Sequence, residues 1–493
     1  MISTWPPYPT IYQINTRTWL FDLSVKTGRP LDLGSIPSSA WDGIAGYGFD
    51  AVWLMGVWQR SPTSIATANR NNSLLDEFKR ALPDFQPQDN IGSAYSVRRY
   101  VVDQPLGGPG GLQVARRELA RRGIRLILDF VPNHVALDHP WVGHRPEYFI
   151  QGSPGDAKND PESFVEKNGR ILAFGRDPYF PAWRDVLQLN AFHPGVRQAA
   201  LETLANIASQ CDGVRCDMAM LLLNSIFERT WGSRAGLKPP TEYWADLIAA
   251  IKSAHPEFLF IAEAYWDREW ELQQQGFNFC YDKRFYDRLA HGNAESLRAH
   301  LSAVVEYQSK LLRFIENHDE QRAAAAFSFP KECAAAVALA TVPGARLFHE
   351  GQFEGRKMRV PVFLRRPAAE PVNQPLEQFY KQLLVVTNAL VFREGEWSLC
   401  HCTGWSDNST YQNLLSWSWI KENDRYLIVI NFSDNVAQGR VQIGGAELGG
   451  KTWRLVDTLS GEAYERSGNE MQNPGLYVEL NSWGCHFLRL EIL

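Results

Sequence analysis

Eight short apolar runs recur between Thr10 and Gln352, each parted from the next by a longer segment of different period: TIYQIN, DAVWLMGVW, IRLILDFV, GVRCDMA, FLFIAEAY, FNFCYDKRF, LLRFIEN and ARLFHEGQ. The intervening segments GLQVARRELARRG, VRQAALETLANIASQ, TEYWADLIAAIKSAH, SLRAHLSAVVEYQSKL, KECAAAVALATVPG and PLEQFYKQLLVVTNAL place apolar residues at i, i+3 and i+4, and Gly or Pro closes several of them. Strands separated by helices pair in parallel. Eight such repeats predict a closed (β/α)8 TIM barrel rather than an open doubly wound sheet.

Two connections exceed what a barrel needs. Residues 59–94 and 135–190 are rich in Asn, Asp, Gly, Pro and aromatics, and loops of that length in a compact domain are functional or form small subdomains. From residue 391 short alternating segments (LLSWSWI, RYLIVINFS, LYVEL) replace the helical period and predict a C-terminal antiparallel β domain. The expected division is a barrel over 1–134 and 191–390, a loop subdomain over 135–190 inserted after strand three, and a β domain over 391–493.

A formal charge of −5 supplies no basic stripe for nucleic acid and no polybasic patch for a membrane. The start, MISTWPPYPTIYQIN, lacks the basic and apolar regions of an export signal, and no apolar run is long enough to span a bilayer. Seven cysteines scattered without a framework predict reduced thiols, hence a soluble, cytoplasmic protein. Cys400-His401-Cys402 is too tightly spaced for a zinc knuckle and has no second ligand pair nearby.

Catalytic groups of such a barrel sit at the C-terminal ends of its strands. Here the ends of strands three, four, five and seven read Asp129-Phe-Val-Pro-Asn-His134, Arg215-Cys-Asp217, Glu263-Ala-Tyr265 and Glu316-Asn-His-Asp319. Residues i and i+2 of a strand share a face, so Arg215 and Asp217 point together while Cys216 turns outward. A carboxylate beside a guanidinium is held ionised.

These four stretches resemble, in order, the conserved regions of the α-amylase family of retaining glycoside hydrolases. YQI, VWLMGV and LQLNAFHPGVR extend the likeness over nearly the whole chain. The resemblance implies that Asp217 is the nucleophile, oriented by Arg215, and that Glu263 is the general acid and then base, the pair about 5–5.5 Å apart as in retaining glycosidases. It implies that Asp319, His134 and His318 bind hydroxyls of the sugar being cleaved, and that Tyr95 stacks on its ring. Burial near Asp217 is expected to raise the Glu263 pKa. The expected partner is a small carbohydrate, an α-glucoside or malto-oligosaccharide.

The departures are as informative. Met220 and Leu221 stand where starch-cleaving members carry a Lys-His pair, which favours oligosaccharides over polymer. Of the family's calcium ligands Asn133 remains, but Gln188 and Leu221 replace an Asp and a His, so no cofactor or metal is expected. Exo-acting members grip the terminal glucose with an Asp after the stacking tyrosine and an Arg three residues after the last catalytic Asp. Arg322 matches the second; Ser96 occupies the place of the first, and Arg98 or Arg99 is free to pair with acids of the long loops. One or two of Trp58, Trp141, Phe180, Trp183 and Trp266 are expected to contact sugar. The insertion Asn69 to Asn90 is expected to lean over the mouth or pack on the subdomain after strand three, closing a pocket from which single glucosyl units are released. Two other readings use the same residues differently: a transglycosylase or phosphorylase built on the same glucosyl-enzyme intermediate, and a non-catalytic binding or assembly protein.

Overall fold

The computed structural model describes residues 4–444 and 447–493. Strands β1 (Thr10–Asn15), β2 (Ala51–Met55), β3 (Arg125–Phe130), β4 (Gly213–Cys216), β5 (Leu259–Ala262), β6 (Phe279–Tyr281), β7 (Leu311–Arg313) and β8 (Ala345–His349) form a closed parallel barrel in chain order. The ring shuts where Thr10 of β1 pairs with Arg346 of β8. Each apolar run of the sequence supplies one strand.

The two-residue period divides every strand between two cores. Val52, Leu54, Leu126, Leu128, Val214 and Phe260 face outward to the helices, whereas Trp53, Met55, Ile127, Leu259, Ile261 and Leu312 fill the barrel interior. Along β3, β4 and β5 the inward row ends in Asp129, Arg215 and then, just past the strands, Asp217 and Glu263. A packed apolar plug therefore lies beneath a ring of ionisable groups. Gly213, low on β4, is required by this packing: a Cβ there would sit 2.9 Å from Leu259 Cβ.

The helix Phe329–Thr341 is buried along almost its whole second half. Its sequence, AAAVALAT, is apolar all round, which suits a helix covered on both sides. The barrel covers one side. On the other, Trp417 Nε1 donates to Thr341 Oγ1 (3.1 Å) and Trp419 Nε1 to Thr341 O (2.6 Å), fastening the C-terminal domain. That domain comprises a six-stranded antiparallel sheet, which includes Leu414–Lys421, Asp424–Asn431 and Cys485–Ile492, and a three-stranded sheet of His401–Thr403, Ala437–Gln442 and Leu476–Leu480. Cys400 and Cys402 are packed in its core. Among the described residues no helix is long and apolar enough to cross a membrane.

One helical segment differs from its periodicity. SLRAHLSAVVEYQSKL forms two helices, Ala294–Leu301 and Val305–Gln308. At the break the His300 carbonyl accepts from Gln308 Nε2 (2.6 Å) as well as from the Ala303 N–H (3.4 Å).

Both long connections fold onto the C-terminal mouth of the barrel. Residues after β3 form a four-stranded antiparallel sheet: His134–Ala136, Trp183–Gln188, Arg170–Gly175 and Phe164–Lys167, in that spatial order. The connection after β2 contains the helices Pro62–Ala68 and Asn72–Ala81. The first rests on the β3 subdomain, with Ser64 Oγ donating to Asp185 Oδ2 (2.9 Å). The second packs instead on the loop after β8, through Phe78, Ala81 and Leu82 against Val360 and Leu364, and the two loops are pinned by Glu77 to Arg359 and by Asp89 to Arg365 (3.0 Å) and Arg366 (2.8 Å).

Candidate active site

A cavity of about 650 Å³ opens at the C-terminal mouth, with Asp217, Glu263, Asp319, His134 and Tyr95 among its walls. At its floor Arg215, fully buried, divides its fork between two carboxylates: Nη1 lies 2.7 Å from Asp217 Oδ1 and Nη2 2.7 Å from Glu263 Oε2. The first contact is a hydrogen bond; the second is an ion pair off the hydrogen-bond line. The guanidinium is held by the rings of Tyr95, Trp53 and Tyr281 at 5.2, 5.3 and 5.6 Å, and Nε donates to Tyr281 Oη (3.3 Å). Arginine rather than lysine suits this place because its planar fork serves two acceptors at once.

Glu263 accepts hydrogen bonds from the backbone N–H of Met218 (2.5 Å) and from Tyr265 Oη (3.1 Å). Met218 reaches it by adopting φ +45°, a left-handed conformation uncommon for a side chain of this size. The local turn is thus spent on aiming an amide at the carboxylate. Burial raises the Glu263 pKa above the usual carboxylate range; Arg215 and the Met218 amide oppose this, while the charges of Asp217 and Asp319 add to it. Burial also lifts Asp319, whose side chain is 44 % exposed into the cavity but enclosed by protein on its other sides.

His318 links these groups to β1. Gln13 Nε2 lies 2.6 Å from its Nδ1; Tyr95 Oη is 2.7 Å and Asp319 Oδ2 3.1 Å from its Nε2. With the amide donating to Nδ1, the network assigns the ring proton to Nε2, directed at Tyr95 and Asp319. Burial holds the imidazole well below its ordinary pKa, hence neutral, and the same cause lowers His134. The Tyr95 ring stacks on His318 at 5.4 Å. Asp129 lies beneath, its carboxylate accepting from Trp53 Nε1 (3.1 Å) and Gly56 N (2.8 Å).

The structure thus brings together seven of the residues singled out in the sequence and leaves one aside. Arg322 is not on the cavity wall. It is buried, with Nη1 donating to Glu316 Oε1 (2.6 Å) and Glu350 O (2.7 Å) and lying 2.7 Å from His349 Nδ1, so its charge is spent inside the barrel rim. Ser96 is also buried. Arg98 pairs with Asp138 of the β3 loop (3.1 Å). Of the five candidate aromatic platforms only Trp183 lines the cavity, edge-on to His134 at 5.3 Å. Trp58 is core, donating to Asp129 O (2.7 Å), and Trp141 packs on His139 and Tyr148. Cys216 is fully buried and its thiol pKa is raised by that burial, so it is chemically inert.

The residues at the family's calcium position do not fit a cation. Gln188 Nε2 donates to Asn133 O (3.0 Å), Asn133 Oδ1 (2.9 Å) and Leu189 O (3.0 Å). An amide N–H therefore points at the oxygens a hard cation requires, and Leu221 is packed in the core.

Several wall residues lie outside the strand-end motifs: Asn71 and Leu74 of the insertion, Phe363 of the β8 loop, and Asp185. Tyr265 does stand in a strand-end motif, two residues after Glu263 and so on the same face, but its bond to Glu263 Oε1 is seen only in the structure.

A model of the alpha-amylase catalytic domain matches residues 38–426. The α-amylase MalA of Haloarcula japonica is 23 % identical over 445 residues, which cover 87 % of this chain and 56 % of that protein. An α-1,4-glucan:maltose-1-phosphate maltosyltransferase of Bifidobacterium longum is 25 % identical over 260 residues, 52 % of this chain and 29 % of that protein. The chain thus spans about half or less of the length of these curated relatives. The structure of the maltogenic α-amylase AmyB from Thermotoga neapolitana is alike with a TM-score of 0.70, at 18 % identity and 99 % coverage of both chains. That of a Nostoc punctiforme debranching enzyme gives 0.66 at 17 % identity, covering 98 % of this chain and 99 % of the other. At such identities the likeness establishes the fold.

Proposed function

The chain belongs to the α-amylase family, and on that premise we propose that it is a retaining α-glycosidase that removes single glucosyl units from the non-reducing end of short α-glucosides. One observation carries the reading: Asp217 and Glu263 grip the two ends of a single guanidinium. That span suits the separation of about 5–5.5 Å of a nucleophile and an acid/base, rather than the wider gap of about 6.5–9.5 Å that admits a water in inverting enzymes. Asp217, oriented by its hydrogen bond from Arg215, attacks the anomeric carbon as Glu263 gives its proton to the departing oxygen. A covalent glucosyl-enzyme ester results. Glu263, now a carboxylate, takes a proton from water, which attacks the same carbon and releases Asp217. Asp319 and His134, on the cavity wall, would bind sugar hydroxyls and Tyr95 would offer a flat ring face, while His318 positions Tyr95 and Asp319 through its Nε2.

Exo action is supported by the roof. Asn71 and Leu74 reach the cavity from the insertion and Phe363 from the β8 loop, so the path beyond the cleaved sugar is walled. Reducing-end-labelled maltoheptaose tests this: stepwise loss of single glucoses is expected, and an early spread of mid-length labelled fragments refutes it. Asp217→Asn is expected to cut turnover by several orders of magnitude with folding retained; wild-type-like activity refutes the assignment. The match to maltosyltransferases supports a second reading, in which the same intermediate passes to a sugar or phosphate. Product analysis of α-glucosyl fluoride reactions with and without such acceptors separates the two.

A further inference from the structure

Every carboxylate on the cavity wall except one has a cationic or imidazole partner. Asp217 and Glu263 share Arg215, Asp319 contacts His318, and Glu162 pairs with Arg184 at the rim (3.0 Å). Asp185, on the strand Trp183–Gln188, forms no ion pair among the described residues. Its carboxylate accepts from Ser64 Oγ (2.9 Å) and from its own backbone N–H, and the residue lines the cavity. The nearest titratable neighbour that would favour its charge is His134, itself kept neutral by burial, and burial raises the Asp185 pKa although Ser64 and His134 oppose it.

The chain takes trouble to put it there. Ser96, one residue after Tyr95, donates its hydroxyl to the backbone carbonyl of Asp185 (2.9 Å), while Ser64 orients the carboxylate from the helix Pro62–Ala68. Two hydroxyls from the connection after β2 thus hold Asp185, one by its carboxylate and one by its backbone, on the wall it shares with the catalytic groups. A carboxylate offers about four acceptor sites, and those of Asp185 not used by the protein are open to the cavity. Ligands rich in O–H donors satisfy them, and sugars are such ligands.

We propose that Asp185 is a specificity-determining residue, accepting hydrogen bonds from the 4- and 6-hydroxyl edge of the glucosyl unit at the closed end of the pocket. The inference rests on the exo-glucosidic reading above. Its geometric basis is that Asp185 shares one cavity wall with His134, Asp217 and Glu263, and that a sugar whose anomeric carbon is at Asp217 carries its 4- and 6-hydroxyls on the far edge of the ring. Arg322, buried with Glu316, is withdrawn from that role, and Ser96 contributes by holding Asp185 rather than by touching sugar.

The test measures kcat/KM for α-glucosyl fluoride and its 4-deoxy and 6-deoxy analogues with wild type, Asp185→Asn and Asp185→Ala. Wild type is expected to lose about 10- to 150-fold on at least one deoxy analogue, the range for a hydrogen bond to a charged group. Asp185→Ala is expected to lose a similar factor on the parent fluoride and then to show no further loss on that analogue. Asp185→Asn, which keeps the Ser64 contact, is expected to recover part of the loss, and the unfolding midpoints of both variants monitor folding. Parent activity within twofold of wild type in Asp185→Ala, or the same deoxy penalty in variant and wild type, overturns the inference alone. Absence of any turnover by wild type overturns the functional reading and this inference with it.

Discussion

Replacing Arg215 by Met removes the one positive charge that touches both Asp217 and Glu263. Methionine keeps the apolar stem but is shorter by the outer part of the guanidinium, so the change removes the charge and the bond to Tyr281 Oη and leaves a small space. With Nη2 2.7 Å from Glu263 Oε2, the charge centres of the pair lie about 4 Å apart, and at an effective dielectric of about 20 their attraction is about 4 kcal/mol. That corresponds to about 3 pH units of pKa depression, which the wild-type cation exerts against the stronger effect of burial. The sign follows: a cation favours the ionised form, so its loss moves the Glu263 pKa further up. Glu263 then keeps its proton to higher pH. The alkaline limb of kcat/KM for maltose, which records loss of the acid's proton, is expected to move up by one unit or more, with 3 units as the ceiling. Activity at the optimum is expected to fall at least 100-fold, because Asp217 loses its orienting bond. Stability falls as well, since breaking a buried pair costs about 3–5 kcal/mol, so circular dichroism and an unfolding midpoint accompany the profile. An alkaline limb that stays put or moves down, in a variant that is folded, refutes the argument that Arg215 sets the proton affinity of Glu263.

Other perturbations test the surrounding structure. Phe78 is fully buried between the insertion and the β8 loop, near Phe85 and Phe363; Phe78→Ala is expected to cost about 3–5 kcal/mol locally and to raise the fraction of mid-length products from labelled maltoheptaose, and an unchanged product pattern refutes a closing role for the roof. Asp89 is buried, and although burial opposes it, the bonds from Arg366, Gln86 N–H and Arg365 hold its pKa down at about 2. Because the folded value lies below the unfolded one, the stabilisation, up to about 2 kcal/mol, is full above about pH 4 and is lost as pH falls toward 2. Limited proteolysis of residues 69–90 between pH 5 and pH 2.5 is expected to show this, and Asp89→Asn to abolish the dependence. With Gln188 bonded to Asn133 where the family binds calcium, EDTA is expected to leave both activity and unfolding midpoint unchanged; a chelator-induced fall in the midpoint contradicts that reading.

Periodicity along the chain was sufficient to locate all eight barrel strands and to place Arg215, Asp217, Glu263, His318 and Asp319 at their C-terminal ends. Both facts are local: alternation of burial within five or six residues determines which side chains enter the barrel, and parallel closure carries every strand end to the same mouth. The single-helix reading of SLRAHLSAVVEYQSKL failed on a local point too, since nothing in its period marks the turn that lets Gln308 take the His300 carbonyl. What tertiary structure alone decided is which partner each polar group meets. Arg322 has the right spacing from Asp319 for a sugar grip, yet Glu316 and His349 claim it from beneath. The insertion 69–90 leans over the mouth, but helix Asn72–Ala81 rests on the β8 loop, a surface some 280 residues on in the chain, rather than on the β3 subdomain. Asp185 sits in no motif and enters the cavity because Ser64 and Ser96, about 121 and 89 residues before it, converge on it. Burial leaves a pattern in sequence because it recurs with the backbone's own period; a hydrogen bond across a hundred residues leaves none, since its partner is chosen by where two separately encoded loops come to rest.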